Sequence, residues 1–203
     1  MDKKTIVTRI ALASALIVLT AAAAPVQAQQ GALSKGDQRI LTELAQANLA
    51  EISAGRIAEQ KAASPDVKSF AEKMVDDHTK GLQDVQQVAQ SKNLTLPTEP
   101  DRKHQAMADK LNTLSGDAFD RAYLSRAGVG DHQAAHMLLA RADKRARDPD
   151  VKALVERLQP VVDEHLHTVR TLAQAKGAEM NPSSGNTDNP LDPHNDQVKT
   201  PGK

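Results

Sequence analysis

The chain has 203 residues with no Cys, no Trp, one Tyr and two Phe, and its 26 Lys+Arg balance 26 Asp+Glu. The lack of Cys excludes disulfides, thiolate metal sites and a cysteine nucleophile, and so few aromatic residues argue against a sandwich or barrel of strands. A formal charge of zero gives no global pull on phosphate backbones and there are no stacking platforms for bases, so nucleic acid is not an expected partner.

Residues 1–28 read as a secretory signal peptide. Lys3, Lys4 and Arg9 precede an apolar run from Ile10 to Ala24, and Val26 and Ala28 supply the small residues before a cut. The run is short for a membrane span of about 20 residues, so no transmembrane segment is expected after its removal. Export to a bacterial periplasm or to the cell exterior follows. Residues 29–36 read as a flexible lead-in, 37–177 as the folded domain and 178–203 as a disordered tail rich in Pro and polar residues. His194 in that tail is expected to be solvated.

Helical periodicity then predicts four long helices, at Asp37 to Ala63, Pro65 to Lys92, Asp117 to Arg147 and Pro149 to Lys176, with a short one from Asp101 to Leu114. Ser64-Pro65-Asp66-Val67-Lys68 and Asp148-Pro149-Asp150-Val151-Lys152 are one device used twice. Each offers a capping oxygen, Pro at the first helical position and an acid beside the positive end of the helix dipole. The two devices lie 84 residues apart, and the match extends in both directions, Ala58 pairing with Ala142, Leu82 with Leu166 and Lys92 with Lys176. The expectation is an all-α fold, a ferritin-like four-helix bundle made of two helical hairpins. The linker from Asn93 to Gly116 is long enough to cross the length of the bundle, about 40 Å.

Polar groups interrupt the apolar stripes. His78 lies at the centre of the stripe Val67, Phe70, Met74, Val85, and His165 at the centre of Val151, Leu154, Leu158, Val162, Val169. Glu51 sits among Leu44, Ala47, Ala54 and Ala58 on the first helix. A buried carboxylate needs a cation, a hydrogen-bonding His or a metal beside it, or else it takes up a proton. On the third long helix Asp131 falls on the stripe and His132 at its edge. Counting from the two breaks puts all these groups near mid-bundle. One such group per helix is a ligand set for a single transition-metal ion, Fe, Zn, Mn or Cu. The alternative is a buried polar cluster that fixes hairpin packing. His132 with His136, four residues on, offers a further alternative, a small surface metal site. Pro160 inside the last helix removes one backbone hydrogen bond and frees the carbonyl of Glu156.

The segments Ala50-Glu51-Ile52, Met74-Val75-Asp76-Asp77-His78, Phe119-Asp120-Arg121-Ala122-Tyr123 with Asp131-His132, and Pro160 with Glu164-His165-Leu166 resemble the bacterial domain of unknown function 4142 family. The resemblance runs from about Gln38 to Gly177 and implies an exported, ferritin-like helical bundle. It implies inward positions at Glu51, His78, His132 and His165, favouring His132 over Asp131. In the wider ferritin-like di-iron enzymes a Glu stands three residues before the metal His on two helices. Here those places hold Val75 and Val162, which disfavours a carboxylate-bridged di-iron centre.

No nucleophile with an attached base, no phosphate-cradling Gly loop and no carboxylate pair suited to glycoside hydrolysis is present. The expected role is non-enzymatic, in envelope upkeep or stress tolerance. Metal-dependent redox or metal-handling chemistry at the cluster is the alternative. A third reading is a module that binds a protein partner or self-associates through its charged faces and tail.

Overall fold

A computed structural model describes residues 32–178. The expected leader, and the tail from residue 179 onward, lie outside the described residues. Those described form helices and no strand, so the fold is all-α. Helix α1 spans Lys35–Lys61, α2 Pro65–Ser91, α3 Arg102–Asn112, α4 Gly116–Ala122, α5 Asp131–Arg145 and α6 Pro149–Ala175. A π-helical segment, Tyr123–Gly130, joins α4 to α5.

The boundaries follow local chemistry. Ser34 caps α1, its hydroxyl oxygen accepting from the Asp37 amide at 3.1 Å, and Leu33 is buried. The end of the lead-in, expected to be flexible, is therefore part of the fold, and α1 starts two residues before the expected Asp37. At the other end, the Ala178 amide donates to the Ala173 carbonyl at 2.9 Å and its side chain is buried. Ala178, expected to open the tail, is therefore part of the fold. Asp148 caps α6 as expected, accepting from Asp150 and Val151. Ser64 does not cap α2 with its side chain. Buried Asp120 accepts instead from the backbone amides of Ala63 and Ser64, at 3.0 and 2.9 Å.

Asp37 does the matching task at the opposite break, accepting from the Arg147 amide at 2.9 Å. The turn of each hairpin is thus clasped by an Asp from the first helix of the other hairpin. This fixes direction: α1 runs towards one end of the molecule, α2 and the α4–α5 rod run back, and α6 returns. The linker between α2 and α4 consequently crosses from one end to the other. Along it, α3 lies against α1, held by Lys61, whose Nζ donates to the carbonyls of Asn112 and Leu114. Pairing is closest between α1 and α2 and between α5 and α6, and the hairpins meet through α2–α6 and α1–α5.

The π-helical segment was not expected, and the repeat explains it. Buried Asp37, Leu41, Leu44 and Ala45 match buried Asp120, Leu124, Ala127 and Gly128 at an offset of 83, whereas Asn48, Ala54 and Ala58 match His132, Leu138 and Ala142 at 84. The second hairpin holds one extra residue, and the wider π turn absorbs it so that both halves of the rod face the core. Gly128 is needed where it stands: a Cβ there would lie 2.3 Å from Cγ2 of Val169.

Two apolar clusters fill the interior. One gathers Phe70, Met74, Phe119, Tyr123, Leu124, Leu166 and Val169, the other Leu41, Leu44, Val85, Leu139, Val151 and Leu154. Between these clusters lie buried polar residues: Asn48 and Glu51 on α1, His78 on α2, His132 on α5 and His165 on α6.

Candidate metal centre

In that middle layer His78, His132 and His165 are buried, the last two fully. They come from α2, α5 and α6, and their ring centroids are 5.3 to 5.5 Å apart. One ring nitrogen of each lies within 4.8 Å of the other two.

One nitrogen of each ring has a polar partner. His78 Nδ1 is 3.1 Å from Oδ1 of Asn48, and the Asn48 amide group donates to the Leu44 carbonyl at 2.8 Å, so its oxygen faces the ring. His78 therefore carries its proton on Nδ1. His132 Nδ1 lies 2.9 Å from the Gly128 carbonyl, presented by the π segment, so that ring too is protonated at Nδ1. His165 Nε2 donates to Asp77 Oδ2 at 3.1 Å, while its buried Nδ1 has no hydrogen-bond partner among the described residues. The lone pairs left over are Nε2 of His78, Nε2 of His132 and Nδ1 of His165. The first two face each other at 3.4 Å, an arrangement that a cation between them would stabilise. Acceptors that orient imidazoles from behind are the supporting shell that metal-binding histidines use.

Protonation favours the same state. Burial and the neighbouring rings push His78 well below its usual value, and burial pushes His132 down to about 4. Burial lowers His165 as well, against the upward pull of Asp77. All three imidazoles are therefore neutral near pH 7, with lone pairs free. Burial raises Glu51 well above the carboxylate range, and nearby Asp131 adds to it, so its surroundings favour the neutral acid.

The four residues expected as one ligand set divide. Glu51 is buried, and its Oε1 lies 3.2 Å from Nδ1 of His132, the nitrogen that the Gly128 carbonyl also faces, and not from Nε2, which faces His78. Asp131 is not part of the triad either. It faces α3, with Oδ1 3.7 Å from Nζ of Lys103 and 3.6 Å from Nε2 of His104. His132 and His136 do not form a surface pair, because His132 points inward while His136 is exposed and contacts Asp163 at 2.6 Å. Sequence reasoning missed Asn48, Asp77 and Tyr123. Asn48 had a signal, since it is the repeat partner of His132, and Gly81, beside Asn48, is the partner of His165. Tyr123 is fully buried in one apolar cluster, and its hydroxyl has no hydrogen-bond partner among the described residues.

A cavity of about 230 Å³ leads to this layer between α1 and α5. Asn48, Glu51 and His78 line its inner end, and Asp131, His104 and Lys103 line it towards α3.

The profile of a domain of unknown function, DUF4142, matches residues 22–172. The chain belongs to the DUF4142 family. No curated protein matches this DUF4142 chain. Among solved structures it is similar to a DUF305 fragment from Deinococcus radiodurans, at 14% identity and a TM-score of 0.64, over 71% of this chain and 99% of that one. It is also similar to a DUF305 protein from Streptomyces coelicolor, at 13% identity and a TM-score of 0.64, over 74% and 98% of the two chains. A third likeness is to CopM in its Cu(II)-bound form, at 21% identity and a TM-score of 0.58, over 68% and 96%. At these identities the likenesses show a shared helical fold. The DUF4142 domain itself contributes a buried triad that could hold a metal ion.

Proposed function

We propose that this protein is an exported metal-binding protein whose His78, His132 and His165 take up one divalent transition-metal ion, copper(II) foremost. The observation that carries this reading is the convergence of three neutral imidazoles, each fixed through its second nitrogen by Asn48, Gly128 or Asp77. Imidazole suits Cu(II) and Zn(II), and Cu(II) binds such donors most tightly among the common divalent ions. The triad has no thiolate or thioether, which disfavours copper(I). It has no bridging carboxylate, in keeping with Val75 and Val162 where di-iron proteins carry Glu.

The likeness to CopM supports copper, and the exchanged Asp clasps with the long crossover support a ferritin-like four-helix arrangement. Residues 1–28 support export, and no helix among the described residues is long and apolar enough to cross a membrane. In the cell envelope the site sequesters free cation, a stress-related role that needs no catalysis.

Titrating the metal-free protein with Cu(II), followed by calorimetry and elemental analysis, tests the reading. One ion per chain is expected, and the double variant His78→Ala, His165→Ala should lose it. Unchanged stoichiometry in that variant would remove the triad from the site. No uptake by the unaltered protein would leave the cluster as a device for hairpin packing.

A further inference from the structure

The triad lies in the core, so an ion must pass through protein to reach it. The cavity between α1 and α5 reaches His78, and towards α3 it is lined by a second group of potential ligands. There, His104 Nδ1 is 2.8 Å from Oδ1 of Asp101 and its Nε2 is 3.6 Å from Oδ1 of Asp131. The second oxygen of Asp131, Oδ2, is buried without a hydrogen-bond partner among the described residues. Lys103 Nζ approaches Asp131 at 3.7 Å from an exposed position. Asp131 precedes His132 in the chain, so one backbone step separates a carboxylate facing this group from an imidazole facing the triad.

We propose that Asp131 and His104 form a transient outer site for a divalent transition-metal ion, from which the ion passes along the cavity to the triad. The inference rests on the reading of the triad as a metal site. An arriving cation coordinates Asp131 and the His104 imidazole together, and any proton on His104 leaves to solvent. The two ligands come from different elements, α5 and the first turn of α3. Carboxylate and imidazole give a mixed O,N site, weaker towards Cu(II) than three imidazoles. The ion therefore moves inward down a gradient of affinity. Glu51 and Asn48 line the same cavity as His78, His104 and Asp131. Lys103 opposes arrival, since its ammonium occupies the approach to the same carboxylate.

Stopped-flow mixing of the metal-free protein with Cu(II), read by absorbance of the copper–imidazole complex, tests the proposal beside an equilibrium titration. The variant His104→Ala, Asp131→Asn should slow both uptake and release by about tenfold or more while leaving affinity and stoichiometry unchanged. Lys103→Glu should act in the other direction and speed uptake, within the range of about 10- to 1000-fold that charge in a cleft produces. Uptake at the unaltered rate in His104→Ala, Asp131→Asn, with one ion still bound, would overturn the outer site and leave the triad standing. Slower uptake with release unchanged would also overturn it, because affinity would then have fallen. No copper uptake by the unaltered protein would overturn the triad and the outer site together.

Discussion

Acidification should destabilise the fold in a window set by the buried histidines. His132 titrates at about 4 in the folded chain and near 6.5 when unfolded. Between those values the unfolded state binds the extra proton, so stability rises with pH and is lost as pH falls from 6.5 towards 4. For His132 alone the loss at pH 4.5 is about 2.5 kcal/mol, equivalent to a drop of about 5–10 °C in Tm for a domain of this size. His78 and His165 are shifted in the same direction and add to it. Glu51 works the other way. Its raised value means that the folded state holds a proton the unfolded state has released, so part of the loss is offset as pH falls towards the ordinary carboxylate range. Asp77, Asp101 and Asp148 are held below their usual value, with hydrogen bonds outweighing burial, so their contribution is lost at still lower pH. Urea denaturation of the metal-free protein at half-unit steps from pH 7 to 4.5 measures the slope. The variant His132→Leu should lose about 2.5 kcal/mol of that pH dependence. Stability that stays flat across the window, or an equal slope in His132→Leu, would refute the assignment of His132 as a neutral buried imidazole.

Asn48→Leu removes the acceptor behind His78 and should weaken Cu(II) binding by about 10- to 100-fold with the fold retained, as loss of a supporting hydrogen bond does elsewhere. Titration calorimetry with circular dichroism checks it. Gly128→Ala brings a Cβ to 2.3 Å from Val169 Cγ2 and should cost about 1–3 kcal/mol in chemical denaturation. Adding Val169→Ala should recover part of that loss. A chelator added to copper-loaded protein should lower the Tm, since a ligand that binds only the folded state stabilises by about 2.7 kcal/mol at a hundredfold excess over Kd.

The parts of this molecule that were legible in its sequence are those written in local chemistry or in period. Pro65 and Pro149 marked the two breaks, the stripes around His78 and His165 marked the core, and Glu51 was conspicuous as an acid among apolar neighbours. Direction along a helix was legible, but contact between helices was not. Periodicity placed Glu51 inward without saying that its carboxyl would meet Nδ1 of the His132 ring. The choice between Asp131 and His132 turned on about 100° of rotation, and the π segment alters the phase just before that point. The extra residue was present in the repeat as a slip from 84 to 83, visible only once buried positions could be compared. Ser64 looked like a cap because capping is usually local, and the oxygen that serves there belongs to Asp120, 56 positions away.

The exchanged clasps tie the two hairpins to one fate. Helix ends ordinarily fray first, each at its own low cost. Here, releasing the Ala63–Ser64 turn exposes Asp120 on the opposite hairpin, and releasing the turn at Arg147 strips Asp37 at the start of α1. Neither hairpin is a finished piece by itself. Opening from either end must involve both, so the inner histidine layer is guarded by cooperativity at each end of the rods.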